Sequence, residues 1–393
     1  MYLSPVLIFL LPWLVGSIST YYFSDYSVIF SSLSGTGTWY LSLILIFLIY
    51  SLIIFNIQRK SSVDLEVNIK NNLNFNSFSS LVKLLFFAHI TIFILSTLYS
   101  SGFPLYWVLI GDSRTYADYG IPTLFGLGNL IRAFGLVGSL VLIMYGSKKH
   151  KRVGIYAGMY FIFSAFFVEL SRGNGAVMLA HPLGFYFLVK KLSFKNISFV
   201  SIGFALFIPF FSFLQVLRYS DFDLEKINEQ LLNAGITEIS STNIIFTPIA
   251  LYASTPIMNM DLNLQNAPDF KFSPDKSFSL LLPTFIRTYL STAEGDREKY
   301  GLLVSSAYNT SSFLTPLIID FGRFGALFIV FIFLSVSGFI YSKAREGSVY
   351  YALLWPPFFM SLLFSAFTLY FLALIVVLYP VLLMFCYNFL IRK

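Results

Sequence analysis

From Phe324 to Ile340 the chain runs without a single charged side chain, and several other segments are as bare. In such a run the backbone N–H and C=O groups have no water to turn to. They must pair within the segment, which makes it a helix. A chain dominated by runs of this kind is either a very large buried core or a bundle of membrane helices. Composition decides between the two. Only 11% of the 393 residues are charged and 57% are hydrophobic, against about 25% charged in soluble domains. That is too little polar surface to coat a water-soluble particle. The expected fold class is all-α, a polytopic transmembrane helical bundle.

A span takes about 20 apolar residues. Ten segments qualify: roughly 3–22, 38–57, 81–100, 124–145, 153–170, 174–189, 197–217, 318–341, 349–368 and 370–389. The N-terminal "MYLSPVLIFLLPWLVG" lacks a basic lead and an obvious small-residue cleavage site, so a retained first helix is expected. The net charge of +7 is spread over short loops, where it sets orientation and does not point to nucleic acid. Arg59 and Lys60, the run Lys148 to Arg152, Lys190 with Lys191, Lys343 with Arg345, and Arg392 with Lys393 all follow even-numbered spans. The positive-inside rule then puts both termini in the cytoplasm. The single cysteine, Cys386, excludes an internal disulfide.

This topology divides the chain into spans one to seven (1–217), a long extracytoplasmic loop (218–317) and spans eight to ten (318–393). A connection of that length is usually functional. Within it, 223–234 has Leu224, Ile227, Leu231 and Leu232 at helical spacing. The apolar segments 243–260 and 278–290 are interrupted by prolines. Each reads as a surface-lying helix or as a re-entrant piece protected by protein. The cytoplasmic stretch 63–80 reads as a linker.

Charged groups inside or at the rim of a span are costly and are functional candidates by default. Arg132, the pair Glu169 and Arg172, and the pair Asp320 and Arg323 all fall on the extracytoplasmic half. Each pair is i, i+3, so on a helix its members can touch. Taken alone, one such pair merely neutralises itself; two at one depth with an extra arginine point to a polar cavity open to the outside. His181, deep in span six, reads as a neutral histidine bonded within the bundle. Arg218, Arg287 and Arg297 of the loop are solvated charges or ligands for an oxyanion, to which arginine forks bidentately. "DFG" (320–322), "DFD" (221–223) and the sequons at 196–198 and 309–311 lack the context that gives such patterns meaning. No Walker loop, zinc signature or Gly-x-Ser-x-Gly is present.

Four stretches, taken in order, resemble the bacterial O-antigen (oligosaccharide repeat-unit) polymerase family, the Wzy type. "GFPLYW" (102–107) with "YGIPTLFGLGNL" (119–130) resembles its Gly-x-Pro and Phe-Gly-Ile-Pro-x-Leu-His-Gly-Leu region, with Phe125 where the family often has His. "ELSRGNG" (169–175) resembles its Ser-Arg-Gly step, and "LYASTPIMNMD" (251–261) its Tyr-x-x-x-Pro-x-x-Asn element. "NTSSFLTPLIIDFGRFG" (309–325) resembles the stretch ending in Asp-Phe-Gly-x-x-Gly. The resemblance implies a bundle of about ten spans, similar to C-type glycosyltransferases, in the bacterial plasma membrane. It implies a polymerase of undecaprenyl-pyrophosphate-linked oligosaccharides acting outside the membrane without metal or other cofactor, and it admits a chain-length regulator as a protein partner. By the same resemblance Arg172, Glu169 and Asp320 are catalytic, with Glu169 or Asp320 as the general base, or Asp320 instead as the structural partner of Arg323. Arg132, Arg218, Tyr252, Asn259, Arg287, Asn309 and Arg323 would bind substrate. The rival expectations are a flippase for lipid-linked oligosaccharides, which tends to have two related halves and short outer loops, and a ligase-like glycosyltransferase.

Overall fold

In a computed structural model of the chain, residues 3–24, 64–114, 118–191, 247–278, 301–303 and 310–391 are described, with scattered positions between them. Expected spans two and seven, the helix at 223–234, most of 278–290, and Arg218, Arg287, Arg297 and Asn309 lie outside the described residues. So do the side chains of Arg172 and Tyr252.

The described fold is all-helical. Its elements are α1 (Pro5–Ser24), α2 (Leu65–Asn72), α3 (Phe75–Tyr99), α4 (Pro104–Ile110), α5 (Leu124–Tyr145) and α6 (Lys148–Phe163). A π turn (Ser164–Val168) leads into α7 (Arg172–Val189). Then come α8 (Thr247–Asn266), the single turn α9 (Asp275–Phe278), α10 (Leu314–Arg345), α11 (Val349–Leu363) and, after a 3-10 turn (Tyr370–Leu372), α12 (Leu374–Leu390). Three helical stretches are long and apolar enough to cross a membrane, Phe75–Ile110, Leu124–Tyr145 and Leu314–Arg345; Pro5–Thr20, Val349–Leu363 and Leu374–Leu390 are shorter apolar helices.

Two helices organise the packing. α5 lies against α3, α6, α7 and α12, and α11 lies against α7, α10, α12 and α1. Contact at α5 is close because Gly135 has no side chain: a Cβ there would meet the Phe161 ring. Small residues at such crossings let backbones approach. Arg132, Ala133, Phe134 and the residues through Ser139 are all buried as a result.

One expectation changes and one open choice narrows. The stretch 63–80 is no linker. Asp64 caps α2 by accepting from Glu66 N, and Leu65, Ile69 and Leu73 repeat every four residues and are buried. Asn74 then caps α3 through Asn76 N and Ser77 N, so that helix starts earlier than 81. Segment 243–260 yields the helix α8, which runs through Pro256 and packs on α1 and α10 with Ile257, Asn259 and Met260 fully buried. It is a protein-packed helix and does not lie exposed on a surface.

Candidate functional site

The charged residues meet their partners in an order that sequence spacing did not foretell. Glu169 follows the π turn, Leu170 sits in the left-handed region at φ 48, and Ser171 then caps α7 through Asn174 N. No helix connects Glu169 to Arg172, so the i, i+3 contact has no scaffold. Glu169 instead reaches across to α5. Arg132 Nη1 donates to Glu169 Oε2 at 3.0 Å, and Nη2 donates to Oε1. Arg132 is 1% and Glu169 2% exposed. A buried ion pair persists only where its remaining hydrogen bonds are also met.

His89 of α3 meets them. Arg132 Nε and Nη2 lie 3.2 and 2.9 Å from His89 Nε2, and His89 Nδ1 is 3.0 Å from Tyr160 Oη. A guanidinium has only donors, so Nε2 accepts and the ring is the neutral Nδ1–H tautomer, donating to Tyr160. The result is a continuous chain Tyr160–His89–Arg132–Glu169 drawn from α6, α3, α5 and the step after the π turn. It lies about 12 Å along α5 from its first residue, by helical rise. Sequence reasoning missed His89 and Tyr160. The available signal was a histidine within the uncharged run 84–111, one of only three in the chain.

A second cluster lies at the start of α10. Gly322 is non-helical at φ 71, ψ −177 and breaks the helix between Asp320 and Arg323. The freed backbone groups are taken up by the segment after α8. Ser273 N donates to Asp320 O and Lys271 N to Phe321 O; Arg323 N donates to Pro268 O and Phe324 N to Asp269 O. The buried Asp320 carboxylate accepts from Ser277 N at 2.6 Å. Arg323 donates to Leu264 O and Gln265 O and stands 3.7 Å from Asp269. Here too a backbone break falls between the two residues of the expected pair, and both side chains bond to backbone. Among the described residues no three or more His, Cys, Asp or Glu side chains cluster as a metal site would require.

Smaller features complete the picture. Asn259 Nδ2 donates to Thr310 O at 2.7 Å, and Asn263 holds Leu302 through both its N–H and C=O. Trp107, Tyr119 and Phe125 stack edge to face. Burial pushes the Tyr119 hydroxyl up to about 12, while Arg114 holds the Asp112 carboxyl below its usual range. His181 Nδ1 donates to Val177 O at 2.8 Å inside the bundle, beside Tyr379. No family model, curated protein or solved structure matches this chain.

Proposed function

We propose that the chain is a membrane glycosyltransferase that polymerises oligosaccharide repeat units carried on undecaprenyl pyrophosphate, at the outer face of the bacterial plasma membrane. It would cross the bilayer about ten times with both termini inside, as the basic clusters suggest. The observation that carries this reading is that the stretches resembling the polymerase family meet in two pairs, the first with the second and the third with the fourth. Trp107 of the first packs on Tyr119 of its second half, and Tyr119 in turn packs on Phe125. Arg132, two residues beyond that half, holds Glu169 of the Ser-Arg-Gly step. Asn259 of the third stretch binds Thr310 of the fourth.

Within this reading the acceptor hydroxyl attacks the donor's anomeric carbon, the bond to the lipid pyrophosphate breaks, and the pyrophosphate leaves with the electron pair. Arginines neutralise the charge that develops there, the largest electrostatic need of such a step. Arg172 heads this group, with Arg218 and Arg287 supplied by the long loop. Of the two candidate bases, Glu169 is the better assignment, because it belongs to a side-chain network. Asp320 holds Ser277 and is assigned to the scaffold with Arg323. Glu169 now lies closed against Arg132, so a proton-accepting role requires that fork to open, as an arriving phosphate competing for the guanidinium would do.

The test is a gene deletion in the host, read as a gel of surface polysaccharide. Loss of the ladder with single repeat units retained is the expected result. Loss of single units as well supports a flippase, and an unchanged ladder overturns both. Arg172→Ala, at normal membrane abundance, is expected to abolish the ladder.

A further inference from the structure

We propose that residues 269–273 form a membrane-interface anchor whose two phenylalanines seat in the leaflet at the Gly322 end of α10. The exposed residues of α10 are Phe324, Phe328, Ile332, Val336 and Phe339. They repeat at four, four, four and three positions, which is one stripe along a helix. The opposite stripe, Leu327, Val330, Leu334 and Ser337, is buried. On an apolar helix long enough to cross a membrane, an exposed apolar stripe of this kind faces lipid.

The stripe does not stop where the helix breaks. Phe270 packs on Phe324 with ring centroids 5.4 Å apart, and Phe272 packs on Phe321 at 5.9 Å. Both belong to the segment bonded to the break, and both stay open, Phe270 at 74% and Phe272 at 81%. Phe278 joins them against Phe321 and is also exposed. The four backbone hydrogen bonds between 268–273 and 320–324 hold these rings as an extension of the lipid face.

Depth agrees with that placement. The helix from Arg323 to Arg345 is about 34 Å long by its rise, close to the roughly 30 Å of hydrocarbon it must cross. With Lys343 and Arg345 at the other end, Gly322 falls at the opposite interface. Phenylalanines there enter about 5–10 Å into the boundary of headgroups and acyl chains. Lys271, exposed between them, carries its charge at headgroup level, where an ammonium snorkels toward phosphate. The broken helix thus gains a purpose: its unpaired amides and carbonyls moor the long loop to the bilayer surface.

The test labels Phe270→Cys and Phe272→Cys with an environment-sensitive fluorophore in a Cys386→Ser background. The protein is full length, in vesicles of phosphatidylcholine and phosphatidylglycerol. Lys148→Cys, exposed at the start of α6, is the reference for a charged loop. The expected result is a blue-shifted emission at 270 and 272, lost on adding lipids that carry a nitroxide just below the headgroup, with little loss to aqueous iodide. Placing Gly322→Ala behind the Phe270→Cys label is expected to reduce the lipid quenching. Labels quenched by iodide and untouched by nitroxide lipid overturn the anchor. So does protection that arises only when polysaccharide or a second protein is added, because the occupant is then not the bilayer. The outcome does not depend on polymerase activity.

Discussion

The step at Glu169 and the step at Asp320 look alike in sequence, an acid and an arginine three apart beside glycine, yet the fold uses them oppositely. At the first, the acid crosses to another helix and charge meets charge, with Arg132 and Glu169 both almost wholly excluded from water. At the second, the acid accepts from the Ser277 amide of α9 and the base donates to carbonyls in the last turn of α8, while the backbone freed at Gly322 bonds to 268–273. In both, a backbone interruption falls between the two residues, and the interruption decides the partners. Under the proposed function, the first step is the site of chemistry and the second is scaffold.

If that contrast is right, the largest effect belongs to the first step. Glu169→Ala leaves Arg132 buried without its counter-charge and is expected to cost about 3–5 kcal/mol. Thermal unfolding in detergent, followed by size-exclusion chromatography, measures it. The double variant Arg132→Met/Glu169→Leu removes both charges and fills the space, so stability is expected to return close to the parent. Under the proposed function the ladder stays lost. A stable double variant that still polymerises would make the pair scaffold and erase the contrast.

Next comes Gly322→Ala. The position has the φ and ψ of a region that only glycine visits, and a Cβ there would stand 2.7 Å from Pro268 O and 2.8 Å from Asp269 O. Strain of about 1–3 kcal/mol is expected, with the 268–273 segment displaced. Raised proteolysis in that segment, set against an unchanged core, is the readout.

Much of the architecture was legible. Uncharged runs read directly as helices, and three of the described ones, Phe75–Ile110, Leu124–Tyr145 and Leu314–Arg345, are long and apolar enough to cross a membrane. Arg132, Glu169, Asp320 and Arg323 stood out because buried charge is costly. Their partners were not legible, because pairing by i, i+3 assumes an unbroken helix. Leu170 in a left-handed conformation carries no mark in sequence, whereas Gly322 between Asp320 and Arg323 was a visible one. The cap at Asp64 followed by Leu65, Ile69 and Leu73 was equally visible. It was obscured by the polar residues between them, which made 63–80 look like a linker.

The scaffold reading of the second step makes a graded claim about Asp320. Asp320→Ala removes a charged acceptor from Ser277 N and is expected to cost about 1.5–3 kcal/mol. Asp320→Asn keeps a carbonyl for that amide and is expected to recover most of the loss, in stability and in the ladder alike. A general base does not survive that exchange, so an Asn variant that is stable and inactive would return Asp320 to the chemistry.

The smallest effect separates two roles of Arg323. Its fork donates to Leu264 O and Gln265 O, carbonyls of the last turn of α8, and its charge lies 3.7 Å from Asp269. The carbonyl bonds need a planar fork, and they place a cation where the helix dipole favours one. Lysine keeps the charge and reaches at most one carbonyl, so Arg323→Lys is expected to cost about 1 kcal/mol, the worth of one hydrogen bond. The Asp269 carboxylate is largely exposed, and such a pair contributes between zero and about 1 kcal/mol, less in salt. Asp269→Ala is therefore expected to leave unfolding nearly unchanged. Were Asp269→Ala the costlier change, and its cost to vanish in high salt, the second step would also rest on paired charge, and the two regions would differ in depth alone.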